Sequence, residues 1–444
     1  MGRMLKPQAR ALVRTIALAG LLAAALAAGP AAEDKNPPRF TLIFAERFRF
    51  EAWDNAINLD DASNEGFVYT RNKTTLGVRW LAAKNLEITG KLTNEFRVYM
   101  MPKDRAFNWS EVFFDNLYLK WKISDAVPLT LTAGRQDMKF GEGFVIADGT
   151  PLDGSRSYYF NALRFDLDFR PDQKLTFFLH AMDKTDRFLP LLHGVSQPLV
   201  EQPERALVLY YAGAAGKAKV DAYFIRKFIN APDPGTVRSR TSTFGARAEA
   251  PLPASLVLTA EGAVQTGSYG EAGWSAFGGI SHLDCTPRWR VPWLKTLTLG
   301  GIYLTGDDPA TAKKEGWDPL FSRWPEWSEG YIYTFTRESR IAYWSNRTSI
   351  YGSLGFDFGA RANAALTLHR LGALEPVPGE FPGGAGLARG MLLVGRLNFI
   401  ISRFVTGHFS GTISVPAIFT GRGPAVSTGC GSSFSSATNP PRPQ

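Results

Sequence analysis

The stretch Ala162–Arg170, "ALRFDLDFR", splits into two sets when every second residue is taken. Leu163, Phe165, Leu167 and Phe169 form one set, and Arg164, Asp166, Asp168 and Arg170 form the other. Side chains alternate across a strand, so this spacing predicts a strand with one apolar and one charged face. A half-buried strand of a soluble sheet carries the same pattern. The rest of the chain has to decide whether the apolar face meets a core or lipid.

The period recurs over almost the whole length. Phe48, Phe50 and Ala52 oppose Arg47, Arg49 and Glu51, while Leu76, Val78 and Trp80 oppose Arg71, Lys73, Thr75 and Arg79. Leu86, Ile88, Leu92, Phe96 and Val98 oppose Glu87, Thr89, Lys91, Glu95 and Arg97. Leu117, Leu119 and Trp121 stand against Lys120, and Phe244, Ala246 and Ala248 against Arg247 and Glu249. Leu256, Leu258, Ala260 and Val264 stand against Thr259, Glu261 and Gln265. About 16 to 18 such segments of roughly ten residues follow one another, the signature of an outer-membrane barrel. Short connections ("AAKN", "PDQK", "PLPA") alternate with long ones that begin near Met101, Phe140, Asp183 and Thr305. The predicted fold is all-β: a transmembrane antiparallel barrel with short periplasmic turns and long extracellular loops. Trp80, Tyr99, Trp121 and Trp274 lie near segment ends, where interfacial girdles place aromatics. A fixed repeat of 20–50 residues, as in solenoids and propellers, is absent, and a sandwich core would have to bury the charged faces.

The beginning of the chain points to export. Arg3, Lys6, Arg10 and Arg14 precede the apolar run "TIALAGLLAAALAAG", which holds a small–x–small site at Ala25–Ala27. That is the build of a secretory leader, and the run is short of the ~20 residues of a spanning helix. The expected organisation is a signal peptide over 1–28, a barrel over 29–420 and an irregular low-complexity tail over 421–444. The expected location is the outer membrane of a Gram-negative bacterium, reached by Sec export.

The 444 residues carry a net charge of +9, of which the four leader cations account for +4, leaving +5 for the remainder. A positive field favours anionic partners. Nucleic acid is not among those expected, because no recognition motif is present. Cys285 and Cys430 are far apart and the five histidines are never closer than 13 residues, so no metal motif or cofactor is implied. No GxSxG or local catalytic spacing marks an enzyme. With apolar faces outward, the predicted pore-lining, anion-binding set is Arg47, Arg49, Arg71, Lys73, Arg79, Lys91, Arg97, Lys120, Arg135, Arg164, Asp166, Arg247 and Glu261. Arg/Lys rings select anions, and interspersed acids keep any single site from binding too tightly.

Four pieces of sequence together resemble the alginate-export family of outer-membrane barrels. They are "GRQDMKFGEGFVIADGTPLDGSRSYYFNALRFDL" (Gly134–Leu167), "AEGAVQTG" followed by "WSAFGGIS" (Ala260–Ser281), "YLTGDDP" with the downstream "WDPLFSRWPEW", and "RFRFEAWDN" near the start. The resemblance implies an 18-stranded monomeric barrel with an arginine-lined constriction that passes a polyuronate. It singles out Arg135 and Arg164. The family carries a Pro-Gly-Asp-aromatic stretch before its last strand, where this chain has "VPAIF" (Val415–Phe419) and then a Gly/Ser-rich end. A shift of reading frame near Ser410 would produce such an end.

The expected function is passive diffusion of anionic solutes, or of an alginate-like anionic polysaccharide, through a basic pore gated by the loops after Phe140 and Asp307. Alternatives are a general or other anion-selective porin and, less favoured, an outer-membrane enzyme. The expected partners are membrane lipid, the transported anions and the barrel-assembly machinery.

Overall fold

The computed structural model describes residues 39–54, 66–103, 105, 112–124, 128–147, 160–186, 189, 200, 202–231, 233, 235–286, 291–322, 345–376, 387–416 and 427–437, the last segment as backbone only. The expected leader lies outside these residues. Eighteen strands are described: β1 Phe40–Asp54, β2 Phe67–Ala83, β3 Leu86–Met101, β4 Val112–Lys122, β5 Leu129–Gln136, β6 Phe160–Arg170, β7 Gln173–Met182, β8 Glu204–Ala215, β9 Ala218–Ile229, β10 Ser239–Leu252, β11 Leu256–Tyr269, β12 Ala272–Cys285, β13 Leu294–Leu304, β14 Arg347–Asp357, β15 Ala362–Gly372, β16 Ala388–Ser402, β17 Val405–Pro416 and β18 Ser427–Ala437. Each pairs antiparallel with the next. β18 also pairs with β1, from Ala45 opposite Ala437 to Asp54 opposite Thr428, and the ring closes.

That last pairing places a strand over 427–437, inside the stretch expected to be an irregular tail from 421 onward; the rest of that stretch lies outside the described residues. Strand structure extends to Ala437, where β18 pairs with β1. The alternation test reads side chains, and "STGCGSSFSSA" has almost none that are apolar. Main-chain N–H and C=O groups complete a ladder whatever the side chains, and in hydrocarbon the cost of leaving the edges of β1 and β17 unpaired outweighs weak Gly/Ser strand propensity.

Burial shows which way the apolar faces point. On β6, Leu163 is 39% and Phe169 45% exposed on the outer face, whereas Asp166 on the other face is 7% exposed. Outward apolar residues continue round the ring, among them Leu76, Val78, Leu179, Leu209, Phe244, Val264, Leu299, Ile350, Leu366 and Ile413. Aromatics border this band. On the side of the short turns, Phe40 stacks on Trp80 at 5.7 Å and Trp293 meets Phe356 at 5.7 Å. Toward the long loops, Phe224 meets Phe244 at 4.9 Å and Phe277 meets Tyr303 at 5.9 Å. From Leu252 to Phe244 on β10, a rise of ~3.4 Å per residue and a tilt of ~40° give about 20 Å, close to the ~25 Å band such barrels present to lipid. Trp121 also faces out. Tyr99 and Trp274 do not join the girdles. Tyr99 faces Tyr69 inside the barrel at 5.1 Å, and the Trp274 indole donates inward to the Gly316 carbonyl at 3.1 Å.

Two loop segments enter the lumen. Residues 137–147 after β5 and 305–322 after β13 meet in a short parallel bridge between Ile146 and Phe321. Phe321 N–H donates to the Val145 carbonyl at 3.0 Å and Ala147 N–H to the Phe321 carbonyl at 3.3 Å. Their side chains Met138, Phe144, Ile146, Trp317, Leu320 and Phe321 form one apolar cluster with inward residues of the wall, including Phe160, Phe178, Val208, Tyr210 and Ile225. Trp317 lies so close to β12 that a Cβ at Gly278 would sit 2.6 Å from its ring, so only glycine leaves room there. The cluster is centred on β6–β13 and extends to Phe113 of β4, Leu371 of β15, and Leu392 and Val394 of β16.

Candidate functional site

The wall of β1–β4 is the basic side of the lumen. Cross-strand partners share a face, so the register sets Arg49, Arg71 and Arg97 side by side on three adjacent strands, with Arg47, Lys73 and Glu95 in the next row. Nearer the short turns, Lys91 lies opposite Asn116, Arg79 opposite Thr41 and Thr89, and Lys120 opposite Glu87 and Thr132.

Adjacent like charges repel, so such rows require counter-charge. Glu51 provides most of it, accepting from Arg49 Nε at 2.7 Å, Arg71 Nη1 at 3.1 Å, Trp53 Nε1 at 3.1 Å and Tyr69 Oη at 2.5 Å. Glu95 takes Arg71 Nε at 3.3 Å and lies 4.0 Å from Arg47, and Asp115 lies 3.6 Å from Lys73. Arg97 sits over the Tyr69 ring at 5.3 Å. Arg49 and Arg71 are thereby bound into the wall. Arg79, Lys91 and Lys120 have no carboxylate within ion-pair distance among the described residues; Arg79 donates to Thr41 at 3.4 Å.

Arg164 turns inward on β6, donating to Asp166 from Nε at 3.0 Å and Nη2 at 2.9 Å while its guanidinium lies 5.3 Å from the centre of the Phe140 ring. Asp166 also accepts from Thr176 at 2.6 Å. On β10, Arg247 pairs with Glu249 at 2.7 Å, Asp221 at 3.6 Å and Glu142 of the entering loop at 4.0 Å. Glu261 accepts from Tyr223 Oη at 3.0 Å. The loop approaches this group through Gly141, whose φ of +55° favours glycine and at which a Cβ would lie 3.0 Å from Arg247 Cδ and 3.3 Å from Glu261 Oε2. His282 joins Glu142 (3.0 Å) to Asp284 (2.9 Å). Carboxylates therefore prevail on the β9–β12 side and cations on the β1–β4 side.

Arg135 is not a pore residue. The register sets it opposite Leu117 and Asn161, on the outer face, near the end of β5 toward the long loops. It is 1% exposed, because Asp186 of the next loop grips it through two bonds of 2.8 Å while Asn161 and the Phe114 carbonyl accept from it at 2.9 Å. A bidentate, fully enclosed guanidinium is a clamp between strand ends and is closed to solute. The sequence reading also missed Lys227 and Gln265, which hold the second loop. Lys227 Nζ, 2% exposed, lies 3.1 Å from Asp318 and 3.4 Å from Glu204, and donates to the Leu320 carbonyl at 3.3 Å. Gln265 exchanges two bonds with the Asp318 main chain, at 2.7 and 2.9 Å. A signal was present: "FF" at Phe177–Phe178 and "LVLYY" at Leu207–Tyr211 are apolar on both faces, which marks strands covered on both sides.

No family model matches the chain, and no curated protein matches it in sequence. Solved structures do match in fold. The Pseudomonas aeruginosa outer-membrane protein OpdK superposes with a TM-score of 0.58 at 10% identity, over 90% of this chain and 98% of that one. OpdK solved with vanillate gives a TM-score of 0.57 at 9% identity, over 89% and 98%. Pseudomonas aeruginosa OccK2 (OpdF) in complex with glucuronate gives 0.54 at 10% identity, over 90% and 98%. At this identity the likeness is one of fold: the chain shares the transmembrane β-barrel fold of these proteins.

Proposed function

We propose that this protein is an anion-selective porin that passes small anionic solutes by passive diffusion. The observation that carries the reading is the inward basic wall of β1–β4, where Arg79, Lys91 and Lys120 face the lumen without an ion-pair partner among the described residues. Fixed cations along an aqueous lumen raise the local concentration of anions and lower their entry barrier. No bond is made or broken in this reading.

The two entering loops favour small solutes over a polymer, because their apolar cluster fills part of the lumen and narrows it. The neighbours solved with vanillate and with glucuronate, both carboxylates, support the same class. Polyuronate export is the second reading, favoured by the "GRQ…NALRFDL" stretch. Swelling of liposomes that contain the purified barrel separates the two. Small carboxylates should enter faster than neutral sugars of equal size, and added polyuronate should not slow them. Equal rates for both would refute the anion reading, and block by polyuronate would favour the export reading.

A further inference from the structure

The outer wall of β8–β11 carries a second basic feature, on the opposite side of the sheet from the pore. Arg205 lies opposite Phe228, Arg226 opposite Leu207 and Ser242, and Arg240 opposite Phe228 and Ser268. Leu207, Phe224 and Phe244 share this face, which places the three arginines on the lipid side of the wall. They stand just beyond the aromatic border toward the long loops, where acyl chains give way to headgroups.

Their local bonds differ. Arg205 is held by Asp183 at 2.7 Å and by the Met182 and Glu204 carbonyls at 2.9 and 2.8 Å. Arg226 and Arg240 have no carboxylate partner among the described residues. Arg226 donates to the Ser242 hydroxyl and lies 5.4 Å over the Phe228 ring, so its guanidinium is already oriented. The other nearby acid, Asp233, is engaged by Lys184 and Gln202.

Directly below, the same outer face is hollowed. A groove of ≈ 1190 Å³ runs across β10–β13 where Ala246, Ala260, Gly262, Gly279, Ser281 and Gly301 replace the bulky residues found elsewhere in the band. Phe244, Val264, Phe277 and Tyr303 rim it on the arginine side. Oriented cations at headgroup level above an apolar groove at acyl level match one molecule: a lipid with anionic phosphate at its head. Guanidinium recognises phosphate through paired bonds, and the outer leaflet of this membrane presents phosphate on a glycolipid.

We propose that Arg226 and Arg240, flanked by Arg205, bind the phosphate of an outer-leaflet glycolipid of the lipid A class, with one acyl chain in the Ala246–Gly301 groove. The test is native mass spectrometry of the purified full-length barrel in mild detergent, with added diphosphoryl lipid A or its dephosphorylated form. Heat-modifiable gel mobility shows that each variant is folded. The wild type should hold diphosphoryl lipid A, and retention should fall roughly tenfold for each of Arg226→Ala and Arg240→Ala. Arg226→Lys with Arg240→Lys should keep part of it. Gly262→Leu, whose side chain enters open groove, should weaken retention with both arginines intact. Equal retention by wild type and Arg226→Ala/Arg240→Ala, equal binding of the dephosphorylated lipid, or a second copy of the chain in place of lipid would each overturn the proposal.

Discussion

Lys227→Met should convert a quiet channel into a flickering one. The Lys227 ammonium sits in a closed environment between Asp318 (3.1 Å) and Glu204 (3.4 Å), and it also holds the Leu320 carbonyl. Removing one partner of a buried charge group leaves the others uncompensated, at a cost of about 3–5 kcal/mol. The barrel ladder does not depend on this bond, so the cost falls on the attachment of residues 305–322 to the wall. A loss of about 4 kcal/mol lowers the ratio of attached to detached loop by roughly a thousandfold. Gln265, Trp274 and the Ser322 hydroxyl on the Gly143 carbonyl still tether the loop, so it should visit the lumen without leaving it. Single-channel recording in planar bilayers reads this directly: steady current for the wild type, and frequent transient closures for Lys227→Met. Adding Asp318→Leu and Glu204→Gln to Lys227→Met removes the stranded charges and should restore much of the steadiness. A Lys227→Met channel as quiet as the wild type, at equal conductance, would refute the reasoning.

Three further outcomes are expected. Lys91→Glu with Arg79→Glu should shift the reversal potential in a salt gradient toward cation permeability, whereas Arg135→Gln should leave it unchanged because Arg135 is enclosed by Asp186. Leu163→Lys on the outer face should destabilise the folded barrel in vesicles by about 2–4 kcal/mol, measured by urea unfolding, while Arg164→Lys on the inner face should cost well under half of that. Deleting residues 427–437 should abolish the heat-modifiable folded band, because β1 and β17 would then both present unpaired edges to lipid.

Much of the architecture was legible in the chain. The alternation at Ala162–Arg170 and its repeats predicted which side chains face lipid, because a pleated strand exposed to two different solvents sorts residues with a period of two. The reading failed where that condition lapses. β18 has little to sort, so only the closure of the ring reveals it. Phe160, Phe178 and Ile225 face inward although they are apolar, because the loops after β5 and β13 bring an apolar core into the lumen. Arg135 stands in a strand with good alternation, yet it lies on the outer set, beneath a loop 51 residues downstream. No local pattern encodes such a contact. On β1–β4 the register puts the expected cations on one face, but the sequence did not separate cations tied to Glu51 from those with no carboxylate beside them.

The central claim is that fixed cations on β1–β4 set the selectivity of the lumen. The most direct test is the zero-current potential of the purified barrel in a planar bilayer under a KCl gradient. The structure predicts a potential displaced toward the chloride equilibrium value, with the displacement shrinking as salt screens the wall. A potential displaced toward the potassium value would contradict the account.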